Sequence, residues 1–225
     1  MAASASGLRS RLATAGILVA VVAAVGLVVA VAKVGIHHPS PPSLEKEPRA
    51  EIPGTVAYVS KDGCVMLAEA SGVSRREVRC GMDWVRFVDE RTLEYGRYGP
   101  TITGYRRSVD GGPETPVATT RDFRGGPQIA VAPNGDRVEV EPGGDIYVAS
   151  AAGRARIYDC DCPDGAWANV IAWTPDSAWV LLQFYSNRGD QEIWILRRDG
   201  GVVGTLVKGL RESPSWMIPG LGIVP

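Results

Sequence analysis

Short apolar runs separated by tight turns recur along this chain, and that recurrence limits its fold more than any other feature. The clearest example is IAWTPDSAWVLLQFYSNRGDQEIWILRRDGG, residues 171–201. Four extended segments are legible in and around it: NVIAW, AWVLLQFYS, EIWILRR and VVGTLV. Trp, Ile, Val and Tyr suit a pleated, half-buried surface and fill the runs, while Pro, Asp, Asn and Gly fill the turns. Segments this short, joined this tightly, predict an antiparallel meander.

The same grammar appears upstream. Residues 128–158 place Pro133-Asn134-Gly135 where Pro175-Asp176-Ser177 stands, and DIYVASAAG where EIWILRRDGG stands. Residues 83–119 are a looser copy, with Asp110-Gly111-Gly112 at the position of Asp199-Gly200-Gly201. Residues 54–79 form a fourth copy that begins at the second strand and lacks the first. Copies recur about every 40–48 residues, the period of a propeller with four strands per blade. A solenoid would need helices or much shorter strand units.

A W-x-P-D-G turn ahead of a buried strand, then an S-N/D-R turn and a D-I-Y-like strand, make up the TolB-type (WD-like) β-propeller repeat. Trp173, Pro175, Asp176, Ser186, Asn187, Arg188 and Ile193-Trp194 resemble that pattern, with Ser177 in place of the usual glycine. The resemblance is close in 171–201 and looser in 128–153, and it covers about three quarters of the chain. It implies an all-β fold, a propeller of about four four-stranded blades; it implies a scaffold and not a chemistry.

The missing first strand has a candidate at the other end of the chain. Ser215-Trp216-Met217-Ile218-Pro219-Gly220 resembles the strand and turn that open a repeat, about 43 residues after Trp173. If residues 213–218 complete the blade begun by 54–80, two unpaired edges disappear. The alternative is an open propeller that pairs with a second copy.

Residues 12–32 contain no charge and are nearly all Ala, Val, Leu, Ile or Gly. Such a run is long enough for the roughly 30 Å hydrocarbon core of a bilayer. Arg9 and Arg11 before it favour an amino terminus in the cytoplasm. Ala30-Val31-Ala32 also fits a cleaved signal peptide, although the run exceeds the usual apolar region of about 7–15 residues. Both readings put the remainder outside the cytoplasm. The expected organisation is a cytoplasmic terminus over 1–11, an anchor over 12–36, a Pro-rich linker over 37–53 and the propeller over 54–225. Five prolines and five charged residues in the linker predict a solvated, semi-rigid stalk.

An even number of cysteines in an oxidising compartment suggests bridges. If residues 64–80 turn around Gly72, facing positions sum to 144 and Cys64 opposes Cys80, near disulfide range. Cys160 and Cys162 sit in YDCDCPDGAW and could close a small, reducible ring of their own. Asp159, Asp161 and Asp164 resemble alternating calcium ligands, but Pro163 occupies the third ligand position. An inter-blade loop with a local disulfide is the plainer reading.

The chain's two histidines, His37 and His38, precede the domain, which excludes a Ser-His-Asp triad, a Cys-His pair or a His-bound metal inside it. A net charge of −1 gives no footprint for nucleic acid. Trp173, Trp194 and Trp216 fall at core-facing positions, whereas Trp84 and Trp167 are the tryptophans expected to reach a surface. Arg106, Arg107, Arg121 and Arg124 form a basic cluster at one strand end and a loop. These features favour a membrane-tethered propeller that binds or assembles envelope proteins, with no cofactor, no metal and no catalysis. An extracytoplasmic enzyme, a ligand-binding domain or a redox sensor using the channel is the alternative. The interaction surface is expected at the loops 120–127 and 159–166, with Arg121, Arg124, Asp161, Asp164 and Trp167.

Overall fold

Each turn sends an apolar run back beside its predecessor. The structure, a computed structural model, describes residues 41–99, 103–118, 131–160, 166–185, 189–211, 214–218 and 222–224. The first repeat gives β1 (Thr55–Val59), β2 (Cys64–Glu69) and β3 (Arg75–Cys80). The second gives β4 (Trp84–Asp89), β5 (Thr92–Arg97), β6 (Thr103–Ser108) and β7 (Thr115–Ala118). The third gives β8 (Arg137–Val140), β9 (Ile146–Ser150) and β10 (Gly153–Tyr158). The fourth gives β11 (Trp167–Trp173), β12 (Trp179–Tyr185), β13 (Gln191–Arg197) and β14 (Val203–Lys208), and the chain ends with β15 (Ser215–Ile218) and β16 (Gly222–Val224).

These strands make four antiparallel sheets, ordered β16-β15-β1-β2-β3, β4-β5-β6-β7, β10-β9-β8 and β11-β12-β13-β14. The architecture is that of a small all-β propeller. The expected first strand of the third sheet falls mostly outside the described residues. Its end is marked by the Val131–Arg137 bridge.

The carboxyl-terminal run does complete the first sheet. β15 lies antiparallel to β1, with Thr55 opposite Met217, Val56 opposite Trp216 and Ala57 opposite Ser215. Trp216 is fully buried there, and its indole N–H donates to the Pro53 carbonyl at 3.2 Å. β16 was not expected; it pairs with the far side of β15.

Three apolar clusters lie between sheets. Ala57, Val65 and Leu67 of the first sheet pack with Val85, Phe87 and Leu93 of the second. Val56, Ala68 and Trp216 on the opposite face pack with Ile171, Leu181 and Ile193 of the fourth. The other face of the fourth sheet, with Val180, Leu182 and Trp194, meets Val138, Ile146 and Val148 of the third. This alternation follows from the two-residue period of a strand, which gives the first and fourth sheets two buried faces each.

The linker expectation needs correction over residues 41–53. Ser43 makes a parallel bridge with Thr205 of β14; Leu44 N–H donates to the Thr205 carbonyl, and Thr205 N–H to the Pro42 carbonyl, each at 2.9 Å. Leu44 is 2% exposed, and Arg49 N–H donates to the Ser71 carbonyl at 2.8 Å. Prolines kept this segment out of a regular ladder, yet Leu44 and Ile52 are apolar enough to be buried against the fourth and first sheets. The compact domain accordingly includes residues 41–53. The proposed anchor, 12–36, lies outside the described residues, among which no helix is long and apolar enough to cross a membrane.

Candidate functional site

The repeat turns hold neighbouring blades together. In the fourth blade, Ser177 N–H donates to the Thr174 carbonyl at 2.8 Å, and Asp176 Oδ1 accepts from Ala178 N–H at 2.9 Å, following Pro175. Ser177, where the repeat ordinarily has glycine, has a φ of 59°, in the left-handed region. Its hydroxyl accepts the Asn134 N–H of the preceding blade at 3.2 Å. Asn134, after Pro133, also binds Asp136, and Asp136 pairs with Arg198 from the fourth blade. At Asp199-Gly200, the Asp199 carboxylate accepts from Gly201 N–H and from Arg197, which lowers its pKa from the usual carboxylate value. Asn134, Asp136 and Ser177 thus take part in contacts between the third and fourth blades, whereas the Asp176 and Asp199 carboxylates brace their own turns.

Cys64 and Cys80 are directly opposed and form a disulfide. Near the turn, however, facing positions sum to 143, as in Leu67 with Arg76. An irregularity between Val65 and Met66 restores the sum of 144 at the cysteines. Cys160 is disulfide-bonded, 1% exposed, and its N–H donates to Asp145 Oδ1 at 2.8 Å. Cys162 lies outside the described residues. A buried Cys160 is a poor match for a sulfur that must exchange readily with reductant.

The basic cluster is also corrected in part. Arg106 and Arg86 flank the Glu94 carboxylate at 3.0 and 3.1 Å across three strands, and Glu94 is only 2% exposed. Arg107 reaches the Val78 carbonyl at 3.3 Å and lies 4.0 Å from Glu114. Glu114 pairs with Arg79 of the first sheet and accepts the Tyr95 hydroxyl at 2.6 Å. Burial raises the Tyr95 phenol, keeping it a donor. Arg106 and Arg107 thus neutralise acids between strands and sheets. The carboxylates at 94 and 114 had no sequence signal beyond alternation with arginines. Arg121, Arg124, Asp161 and Asp164 lie outside the described residues.

Trp84 is fully buried, contrary to expectation, because its side chain closes over Gly96 opposite it on β5. Trp167 is 49% exposed, the sole exposed member of the chain's six tryptophans. Its ring lies flat on Tyr185, with centroids 3.8 Å apart and planes within 3°. Trp167 opens β11 and Tyr185 closes β12, so the pair sits at the strand ends where 159–166 and 186–190 connect.

At the opposite strand ends a cleft of ≈ 260 Å³ lies between the first two sheets. Leu67, Met217 and Val109 form its apolar lining, with Glu69, Arg76 and Asp110 among its charged groups. The sulfurs of Cys64 and Cys80 also approach Glu77, but their disulfide leaves no thiolate to bind metal.

No protein-family model matches this sequence, and no curated protein does. In fold the chain is similar to TolB from Acinetobacter baumannii, with 16% identity and a TM-score of 0.28 over 72% of this chain and 43% of that one. It is likewise similar to a putative TolB from Agrobacterium tumefaciens, with 18% identity and a TM-score of 0.26 over 75% and 61% of the two chains. The chain thus spans less than two thirds of either structure. The sheet order by itself establishes a small all-β architecture of four antiparallel sheets.

Proposed function

We propose that this chain is a single-pass protein of the cell envelope whose extracytoplasmic propeller binds a protein partner without catalysis. The Cys64–Cys80 disulfide is the observation that carries the reading. Such bonds persist in oxidising compartments and are rare in the cytosol. The uncharged run 12–32, preceded by Arg9 and Arg11, supports an anchor that delivers the domain there. Glu94 and Asp136, buried carboxylates among the described residues, are paired with arginines, Glu94 with Arg86 and Arg106 of adjoining strands and Asp136 with Arg198 of the fourth blade, which favours a scaffold reading. Recognition then falls to the connecting segments, as is usual for loops on a rigid frame. Residues 120–127 and 159–166 are those segments, with Trp167 just after the second.

The test is a crosslinked pulldown from membranes of cells expressing the full chain. Arg121→Ala with Arg124→Ala, and separately Asp161→Ala with Asp164→Ala, should each reduce recovery of the same membrane-associated protein severalfold. If both double variants retain every partner, the loops are not the interface and the proposal falls.

A further inference from the structure

Trp167 differs from every other tryptophan in the chain. Trp84, Trp173, Trp179, Trp194 and Trp216 are all buried. The fourth blade already shows what an internal pair looks like: Phe184 and Trp194 are stacked at 3.9 Å, and both are buried. Trp167 and Tyr185 repeat that stacking at the rim of the same blade, but half of the indole remains in solvent. A lone exposed apolar residue is ordinary. Here, however, the ring lies flat on a second aromatic ring, and side-chain amides share its face of the sheet.

The strand period fixes that surrounding. Trp167, Tyr185 and Gln191 occupy one row across β11, β12 and β13. Asn169 and Gln183 face each other in the row two residues inward, on the same side of the sheet. Gln183 is almost fully buried, and its Nε2 donates to Gln191 Oε1 at 2.8 Å. Asn169 is half-buried. The charged residues described at this strand end include Asp190, Glu192 and Lys208, with Lys208 opposite Glu192 on β14 and 3.5 Å from it.

We propose that the Trp167–Tyr185 stack and the carboxamides of Asn169 and Gln191 form a binding site for a neutral saccharide. The face of an aromatic ring is electron-rich and apolar, and it complements the polarised C–H face of a pyranose. Carboxamides offer a donor and an acceptor together, which suits a sugar hydroxyl that needs both. A nucleotide or an acidic glycan would require a cationic partner to hold its charge, and Lys208 at this strand end is already paired with Glu192 at 3.5 Å. A protein hot spot would lie within a far larger desolvated patch, on the order of 800 Å² per partner. The other exposed large apolar residues described, Val73, Tyr98 and Val131, lie in other sheets or their turns.

The site stands independently of the protein-partner reading above, and the purified chain tests it alone. The full chain, held in a detergent without a sugar headgroup, is titrated with chitotriose, maltotriose and cellotriose, and with trigalacturonate as the anionic comparison. Trp167 is the exposed indole, so binding is read as protection of the quenchable tryptophan fluorescence from acrylamide. Saturation-transfer NMR then reports sugar contacts directly, including in variants lacking the reporter. At least one trisaccharide should bind the wild type with millimolar or better affinity, and Trp167→Ala should weaken it by about tenfold or more. Asn169→Ala should weaken it about fivefold, and Trp167→Phe should retain part of the affinity. An unchanged melting temperature shows that the variants are folded, as expected at a half-exposed ring. Silence from all three sugars, equal binding by Trp167→Ala, or a preference for an anionic glycan each overturns the proposal. So does a Trp167→Ala variant that keeps sugar contacts but loses the envelope partner, which would assign the platform to the protein interface.

Discussion

The first and fourth sheets reach similar burial by different routes. The fourth is one uninterrupted stretch, β11 to β14, joined by turns of a few residues. Its apolar density is high: β12 reads WVLLQFY and β13 QEIWILR, each buried along most of its length. The first sheet draws β15 from the opposite end of the chain to lie beside β1. Bringing distant segments together costs loop-closure entropy before any contact repays it. The first sheet also carries a polar outer strand, RREVRC, which contributes little burial. It alone among the described sheets has the Cys64–Cys80 disulfide, and Pro53 of the docked 41–53 segment accepts from its Trp216. The contrast teaches that a continuous blade is assembled by local pairing of apolar strands, whereas the composite blade adds a covalent clamp, with residues 41–53 docked against both.

The largest expected effect breaks the composite blade at its seam. Trp216→Ala removes a fully buried indole on β15 and should cost about 3–5 kcal/mol. Trp194→Ala in the fourth sheet should cost a similar amount by burial. The two should differ in how they fail. Trp216→Ala should release β15 and make β1 and β2 the first sites of limited proteolysis, while Trp194→Ala should unfold cooperatively. Identical digestion patterns would show that the first sheet is no weaker at its seam. Next in size is the covalent clamp. Replacing Cys64 and Cys80 by Ala opens a loop with a sequence separation of 16, and about 3 kcal/mol should be lost in urea unfolding. A loss below about 1 kcal/mol would mean that β15 and residues 41–53 already suffice to hold the sheet.

A smaller effect tests the fourth sheet's own strain. Ser177 holds a left-handed backbone that costs a non-glycine residue about 1–2 kcal/mol, but its hydroxyl accepts the Asn134 N–H. Ser177→Gly should relieve the strain and lose the hydrogen bond, leaving stability within about 0.5 kcal/mol of the wild type. Ser177→Ala keeps the strain and loses the bond, so it should destabilise by about 1 kcal/mol in thermal or urea melts. A neutral alanine variant would show that the inter-blade bond contributes nothing.

What was legible in the sequence was local. Turn residues such as Pro175-Asp176 and Asp199-Gly200 have intrinsic backbone preferences, so they announced themselves. The spare Ser215-Trp216-Met217-Ile218 run was readable because the first copy visibly lacked a strand. Features decided by tertiary context were not readable. Leu44 and Ile52 sit among prolines and charges, and only the groove they enter makes them core. Trp84 looked unconstrained because nothing local marks Gly96 as the space its indole fills. Glu94 carried no local signal of burial, because Arg86 and Arg106 reach it only through cross-strand register. For the candidate site, the exposure of Trp167 was anticipated, but the Tyr185 stack and the row with Gln191 depend on cross-strand pairing that a linear reading leaves unspecified.

The smallest expected effect concerns the packing between the third and fourth sheets. Tyr158 of β10 meets Trp194 edge-on, with centroids 5.2 Å apart and planes at 76°. Burial, reinforced by Glu192 and then Asp159, pushes its phenol up from 10.0 to about 12. Below pH 10 both the folded and unfolded chains hold the proton, so this stabilisation is fully present. As the pH rises from about 10 to about 12, the unfolded chain releases the proton while the folded chain keeps it, and stability falls through that window. Tyr158→Phe retains the ring contact and removes the titration. It should therefore flatten the alkaline fall in melting temperature without abolishing it, because burial also raises Tyr58 and Tyr95 on the first and second sheets. Unfolding followed separately by tyrosinate absorbance and tryptophan fluorescence would distinguish those contributions. If Tyr158→Phe leaves the alkaline profile unchanged, the titration belongs to the composite blade and its neighbour, and the continuous blade is insensitive to pH on the side where it meets the third sheet.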